Sequence, residues 1–152
     1  MTQDDIRNLL GANAAVRIQI AAPDDGSPEI AWGDTFFYVR DANGESAKMP
    51  FATIVTKDYT GFDTDSQLDR GGLYRLNIEL GKQRFETLFG FAPKALDEHR
   101  AAFDFTALDT LFPHPLYGAH GWVSIINPST GRDAVIALLA FSLERAIGRR
   151  AG

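Results

Sequence analysis

Cysteine is absent from the 152 residues. That excludes a disulfide framework, a thiolate metal site and a cysteine nucleophile, and it fits a reducing compartment. Basic charge is also scarce: 15 Lys and Arg stand against 20 Asp and Glu, a formal net charge of −5. Such a chain repels phosphate backbones, so nucleic acid is not expected as the primary partner. The one dense basic cluster, Arg145, Arg149 and Arg150, ends a helical pattern, where cations complement the helix dipole. No apolar run approaches the roughly 20 residues that span a bilayer. The opening MTQDDIRNLL carries acids where a secretion signal would be basic. A soluble, cytoplasmic protein with no membrane partner is the expectation. Familiar catalytic motifs are missing too. Ser124 has no Gly-x-Ser-x-Gly elbow, and no Gly-Lys-Ser/Thr follows Gly71-Gly72. Asp63, Asp65 and Asp69 lack the Gly and Glu of a calcium loop.

What the chain does have is hydrophobic patterning. Its length predicts one domain, residues 1–152. The clearest signal is a strand at 73–80, with Tyr74, Leu76, Ile78 and Leu80 on one face and Arg75, Asn77 and Glu79 on the other. A β-branched strand at 51–56 precedes it, and a long polar loop joins the two. Val16, Ile18 and Ile20 alternate with polar neighbours as a third strand. Short strands at 29–32 and 35–40 continue into 51–56 as an antiparallel meander, with Asn43-Gly44 as a hairpin turn. Trp122 to Ile126 completes the set. Thr2 and Asp5 predict a capped first helix that Gly11 stops. A helix over 82–89 ends at Gly90, and a last one over 133–147 is capped by Ser129 or Thr130 and stopped by Gly148. Between Pro93 and Pro115 the aromatic content predicts a packed connector. Strands in succession with helices outside them predict an α+β fold, an antiparallel sheet with helices packed on one face.

Several segments together resemble an uncharacterised bacterial family, a domain of unknown function common in actinobacteria and proteobacteria. They are GSPEIAWGDTFFY, PFATIVTKDY, LDR, LYRLNIELGKQRFETLFG and HPLYGAHGWVSIINP. More distantly the plan is similar to the YjbR or MmcQ-like group, whose fold is related to frataxin. The shared features are the N-terminal helix, Gly33-Asp34 before a strand, the strand around Lys48 to Ala52, Trp122 and the terminal helix. The resemblance implies a frataxin-like two-layer arrangement and carries no catalytic residues.

Polar chemistry collects in two segments. The loop after residue 56 supplies Lys57, Asp58, Tyr59, Asp69 and Arg70; the other segment supplies His114, Tyr117, His120 and Trp122. Aromatics with a polar handle and a planar guanidinium suit a small polar ligand. The loop is long for a link between neighbouring strands, and Gly118 and Gly121 permit close backbone approach in the other segment. The two are expected to face each other if the protein binds anything small. The spacing of His114 and His120 matches no zinc pattern, so neither metal nor cofactor is expected. The leading expectation is a noncatalytic module that binds a small molecule or a protein. The alternative is a small enzyme in which His114 or His120 works with Asp58 or Asp69 as acid and base.

Overall fold

The computed structural model describes residues 1–151. Its elements are α1 (Gln3–Gly11), β1 (Val16–Ile20), β2 (Thr35–Val39), β3 (Ala52–Val55), β4 (Arg75–Glu79), α2 (Gly81–Phe89), α3 (Leu96–His99), β5 (Phe112–Pro113), β6 (Trp122–Ile126) and α4 (Arg132–Ala151). The strands form one six-stranded antiparallel sheet in the order β1-β2-β3-β4-β6-β5. The fold is therefore α+β.

One face of the sheet carries the main core. Phe37, Ala52, Ile54, Leu76, Ile78, Val123 and Ile125 meet Ile6 and Leu10 of α1 and Val135, Leu138, Leu139 and Ala146 of α4. In both helices these residues recur at three- and four-residue steps, which places them on one stripe. Thr2 and Asp5 exchange backbone hydrogen bonds of 3.1 and 2.8 Å, the capping box read from the sequence. Ser142, buried in the stripe of α4, donates to the carbonyls of Glu79 (2.6 Å) and Phe51 (3.3 Å) and so pins the helix to the sheet. The α2 aromatics continue in a chain of ring contacts from Phe85 and Phe89 through Phe103 and Phe105 to Phe112 on β5.

Four local expectations need correction. Residues 29–31 form a 3-10 turn, not a strand, because Ala31 and Trp32 close hydrogen bonds back to Pro28 and Glu29. Gly11 lies inside α1, whose cap is Ala12. Gly148 does not stop α4, which runs on to residue 151. A single helical Gly costs only about 1 kcal/mol, and Arg149 and Arg150 beyond it are held by Glu79 and Asp41. The N–H groups ahead of α4 turn to Asp109 in the connector. Its carboxylate accepts from Ser129 N (2.7 Å), Thr130 N (3.0 Å), Gly131 N (3.1 Å) and the Thr130 hydroxyl (2.6 Å). Those bonds hold the Asp109 carboxyl well below its usual pKa, with the Thr130 hydroxyl the largest cause.

The other clamp is Asp34, fully buried at the start of β2. It accepts from Thr56 N (2.9 Å), the Thr56 hydroxyl (2.8 Å), Lys57 Nζ (3.0 Å) and the Tyr59 hydroxyl. It thereby fixes the chain as it leaves β3. Burial first, and the bond to Asp34 second, push the Tyr59 phenol far above its usual value, so it stays a donor. Asp34→Ala leaves the Thr56 N–H and the Thr56 and Tyr59 hydroxyls without their acceptor and the half-buried Lys57 ammonium without its counter-ion. A loss of about 3–5 kcal/mol is expected in urea unfolding. Asp34→Asn keeps the shape and is expected to lose less; equal stability of Asp34→Ala and wild type would contradict the clamp.

Candidate functional site

The second face of the sheet is where the sequence pattern points polar groups. Register sets Phe36, Thr53, Asn77 and Ser124 in one row across β2, β3, β4 and β6, with Val55, Arg75 and Ile126 in the next. This face is not left to solvent. The loop 56–72 and the connector fold over it, and Leu68, Phe103 and Phe105 pack with Val55, Phe112 and Ile126 as a second small core. Arg75 and Asn77 are each only 1% exposed, so β4 is buried on both sides.

Where this cover stops, a cavity of about 400 Å³ opens onto the sheet. Phe36, Tyr38, Phe62, Tyr117 and Trp122 form its aromatic walls. Thr53, Tyr59, Asp63, Arg75, Asn77 and His114 supply its polar lining; Val55 from β3 and Lys48, Met49 and Pro50 from the β2–β3 connection complete it. Met49, Phe62 and Tyr117 are 73%, 57% and 42% exposed, so apolar side chains of the lining reach solvent.

Arg75 organises the polar lining. Its Nε donates to Asn77 Oδ1 (2.9 Å), and Nη1 donates to Asp63 Oδ1 (3.1 Å) and Ser66 Oγ (3.0 Å). Nη2 donates to Asp63 Oδ2, which makes the ion pair bidentate. Asn77 then accepts from the Ser124 hydroxyl (2.7 Å) and donates to Thr53 Oγ1 (3.0 Å), carrying the network across three strands. The remaining direction of Nη2 faces His114 Nε2 at 3.2 Å.

His114 is buried, and the turn that follows it sets its tautomer. Nδ1 accepts from Leu116 N and Tyr117 N, both at 3.0 Å. Two N–H donors require the lone pair at Nδ1, so the neutral ring carries its proton on Nε2. Burial, then the charge of Arg75, hold its pKa well below 6.5. The turn itself depends on close packing: a Cβ on Gly118 would lie 2.9 Å from Leu96 Cδ2 and 3.0 Å from Pro113 Cβ. Gly121, at φ +90°, packs its backbone on that of Gly81.

The structure brings together four of the nine residues singled out from the sequence: Tyr59, His114, Tyr117 and Trp122 all line the cavity. The loop and the second segment meet through Phe62 and Tyr117, ring centroids 6.4 Å apart, and through Asp63 and His114, 4.0 Å apart. The other five lie outside its lining, and four of them do structural work. Lys57 binds Asp34 and the Trp32 carbonyl. Asp58 accepts from Leu68 N, and Asp69 from Asp58 N, which folds the loop on itself. Arg70 donates only to carbonyls, of Gln67, Ser66 and Thr106. His120 is exposed beside Lys82 and Lys94, outside this cavity. Arg70 and His120 lie toward opposite ends of the sheet, because β4 and β6 are antiparallel and each residue precedes one of them.

Sequence reasoning passed over Phe36, Tyr38, Thr53, Arg75 and Asn77, and weighed Asp63 only as a calcium ligand. The alternation in β4 did mark Arg75 and Asn77 as facing away from the core. It gave no sign that a distant loop would bury them. Among the described residues no cluster of His, Asp and Glu is arranged to hold a metal, and no helix is long and apolar enough to cross a membrane.

A family model described as a family of unknown function, DUF6194, matches residues 1–152. The chain belongs to DUF6194. No curated protein and no solved structure matches it. For DUF6194, the candidate site therefore stands on this chain's own geometry.

That geometry makes a pH prediction. The folded pKa of His114 is lowered, so the unfolded chain binds the proton more readily. The stability from burying neutral His114 is complete above pH 6.5 and is lost as pH falls below it, by up to about 1.4 kcal/mol per pH unit. NMR should show Nε2 protonated and Nδ1 bare at pH 7, with no imidazolium forming as pH passes down through 6.5. A His114 ring titrating near 6.5 would contradict the arrangement.

Proposed function

We propose that this protein is a noncatalytic small-molecule binding module whose site is the cavity on the second face of the sheet. One observation carries the reading: a concave aromatic chamber of about 400 Å³ lies over a polar lining already tied together by hydrogen bonds. Pockets of roughly 300–1,000 Å³ with apolar walls and a few fixed polar groups are the usual form of small-ligand sites. The pre-tied network means that little side-chain order is lost on binding.

Acid–base catalysis by a His–Asp pair has less support. His114 is neutral, its Nδ1 is engaged by two N–H groups, and its Nε2 lies 4.0 Å from Asp63. Asp58 and Asp69 are turned into the loop, and His120 is outside the cavity. The N-terminal helix, antiparallel sheet and C-terminal helix on one face also support a distant kinship with the frataxin-like two-layer group as our working reading of ancestry.

A fragment screen by NMR tests the reading. Binders should move the Trp122 indole and Asn77 side-chain resonances while leaving those of α4 in place. Thr53→Leu, which narrows the cavity, should weaken the same binders at least about tenfold, or 1.4 kcal/mol, with the fold retained. Binders scattered over the surface, or unaffected by Thr53→Leu, would overturn it.

A further inference from the structure

Two buried donors in the cavity wall confront each other, and the Asp63 carboxylate oxygen that binds Arg75 lies 4.0 Å from the imidazole Nε2, beyond hydrogen-bond reach. Arg75 spends four of its five N–H groups on Asn77, Ser66 and both oxygens of Asp63. The fifth direction leads to His114 Nε2 at 3.2 Å. That nitrogen carries the ring proton, because Nδ1 already accepts two backbone N–H groups. A guanidinium hydrogen and an imidazole hydrogen thus meet at one corner. Both side chains are more than nine-tenths buried and both line the cavity. A buried donor without a partner is unfavourable, so an acceptor oxygen brought to this corner is favoured.

Charge says which kind of oxygen. The whole chain carries −5, yet the charged residues lining the cavity are Lys48, Arg75 and Asp63, one cation in excess. Asp63 is spent on Arg75. Lys48 has no carboxylate partner among the described residues. Beyond the cavity lining, the Arg17 guanidinium sits 4.4 Å over the ring of Tyr38, a cavity wall. A low-dielectric cleft with a local cationic excess concentrates anions even in an acidic protein. The walls select the rest of the molecule: Tyr117 and Trp122, ring centroids 6.5 Å apart, and Phe36 and Tyr38 from β2 offer faces for a flat ring.

We propose that the cavity takes a planar aromatic carboxylate of about two fused rings, its carboxylate at the His114–Arg75 corner within the field of Lys48 and its rings among the aromatic walls. This rests on the binding-module reading and goes beyond it in ligand class.

The test titrates the ¹⁵N-labelled protein at pH 7 with 2-naphthoate and with the neutral 2-naphthamide. Naphthoate should bind at least about tenfold tighter, as charge-assisted hydrogen bonds are about twice as strong as neutral ones. It should also shift the His114 Nε2 resonance. Lys48→Gln, at an exposed position, should cut the preference for naphthoate over naphthamide several-fold. Equal affinities with the Trp122 indole moved by both probes would overturn the carboxylate assignment and leave the binding-module reading standing. A preference for naphthoate with His114 Nε2 unmoved would overturn the assigned corner. If neither probe moves the Trp122 indole, the carboxylate assignment falls, and the module reading is then judged by the wider fragment screen alone.

Discussion

The bidentate pair between Arg75 and Asp63 is the interaction on which the second face depends. Arg75 sits in a central strand and is 1% exposed. A guanidinium can be buried there only because the loop 56–72 returns over the sheet and delivers Asp63 and Ser66 to it. Desolvating two such ions costs several kcal/mol each, which good geometry and added hydrogen bonds can offset but seldom exceed. Apolar residues of the same volume would serve stability equally well. What they would not do is hold an open chamber with a polar lining. The pair closes the loop over Val55 and Ile126 and leaves Thr53 and Asn77 facing the cavity.

The rest of the site follows from that closure. Asp34 fixes the loop where it leaves β3, through Thr56, Lys57 and Tyr59. Phe62 is carried out to meet Tyr117. The turn after His114 folds its own N–H groups onto Nδ1, so the imidazole faces Arg75 as a donor. A neutral, proton-bearing Nε2 suits recognition of an oxygen and is poorly placed to accept a proton. The contrast with the first face is physical: α1 and α4 bury an apolar stripe there, with no polar network of this kind in its core among the described residues.

Much of this architecture was legible in residue order. Period-two alternation marked β1 and β4, and the Thr2–Asp5 spacing marked the start of α1, because these signals are local. The two-residue β5 escaped, being too short to carry a period. So did the cap of α4, because Asp109 arrives from about 20 residues upstream. The site was half legible for the same reason. Tyr59, His114, Tyr117 and Trp122 stood out as chemistry on loops and strand ends. Arg75 and Asn77 look like the solvent face of a strand until the loop closes over them. Arg70, a more conspicuous arginine, proved to be bound to carbonyls. Only the long-range fold decides which guanidinium is buried.

A double-mutant cycle in urea tests the central claim most directly. The variants are Arg75→Met, Asp63→Leu and the pair together. If the ion pair holds the loop on the sheet, Arg75→Met should cost about 3–5 kcal/mol by stranding Asp63, and Asp63→Leu about as much by stranding Arg75. The double variant should cost less than the sum by about 2 kcal/mol or more, since neither charge is then left alone. Costs that add to within about 0.5 kcal/mol would show the two residues acting independently and would contradict the account.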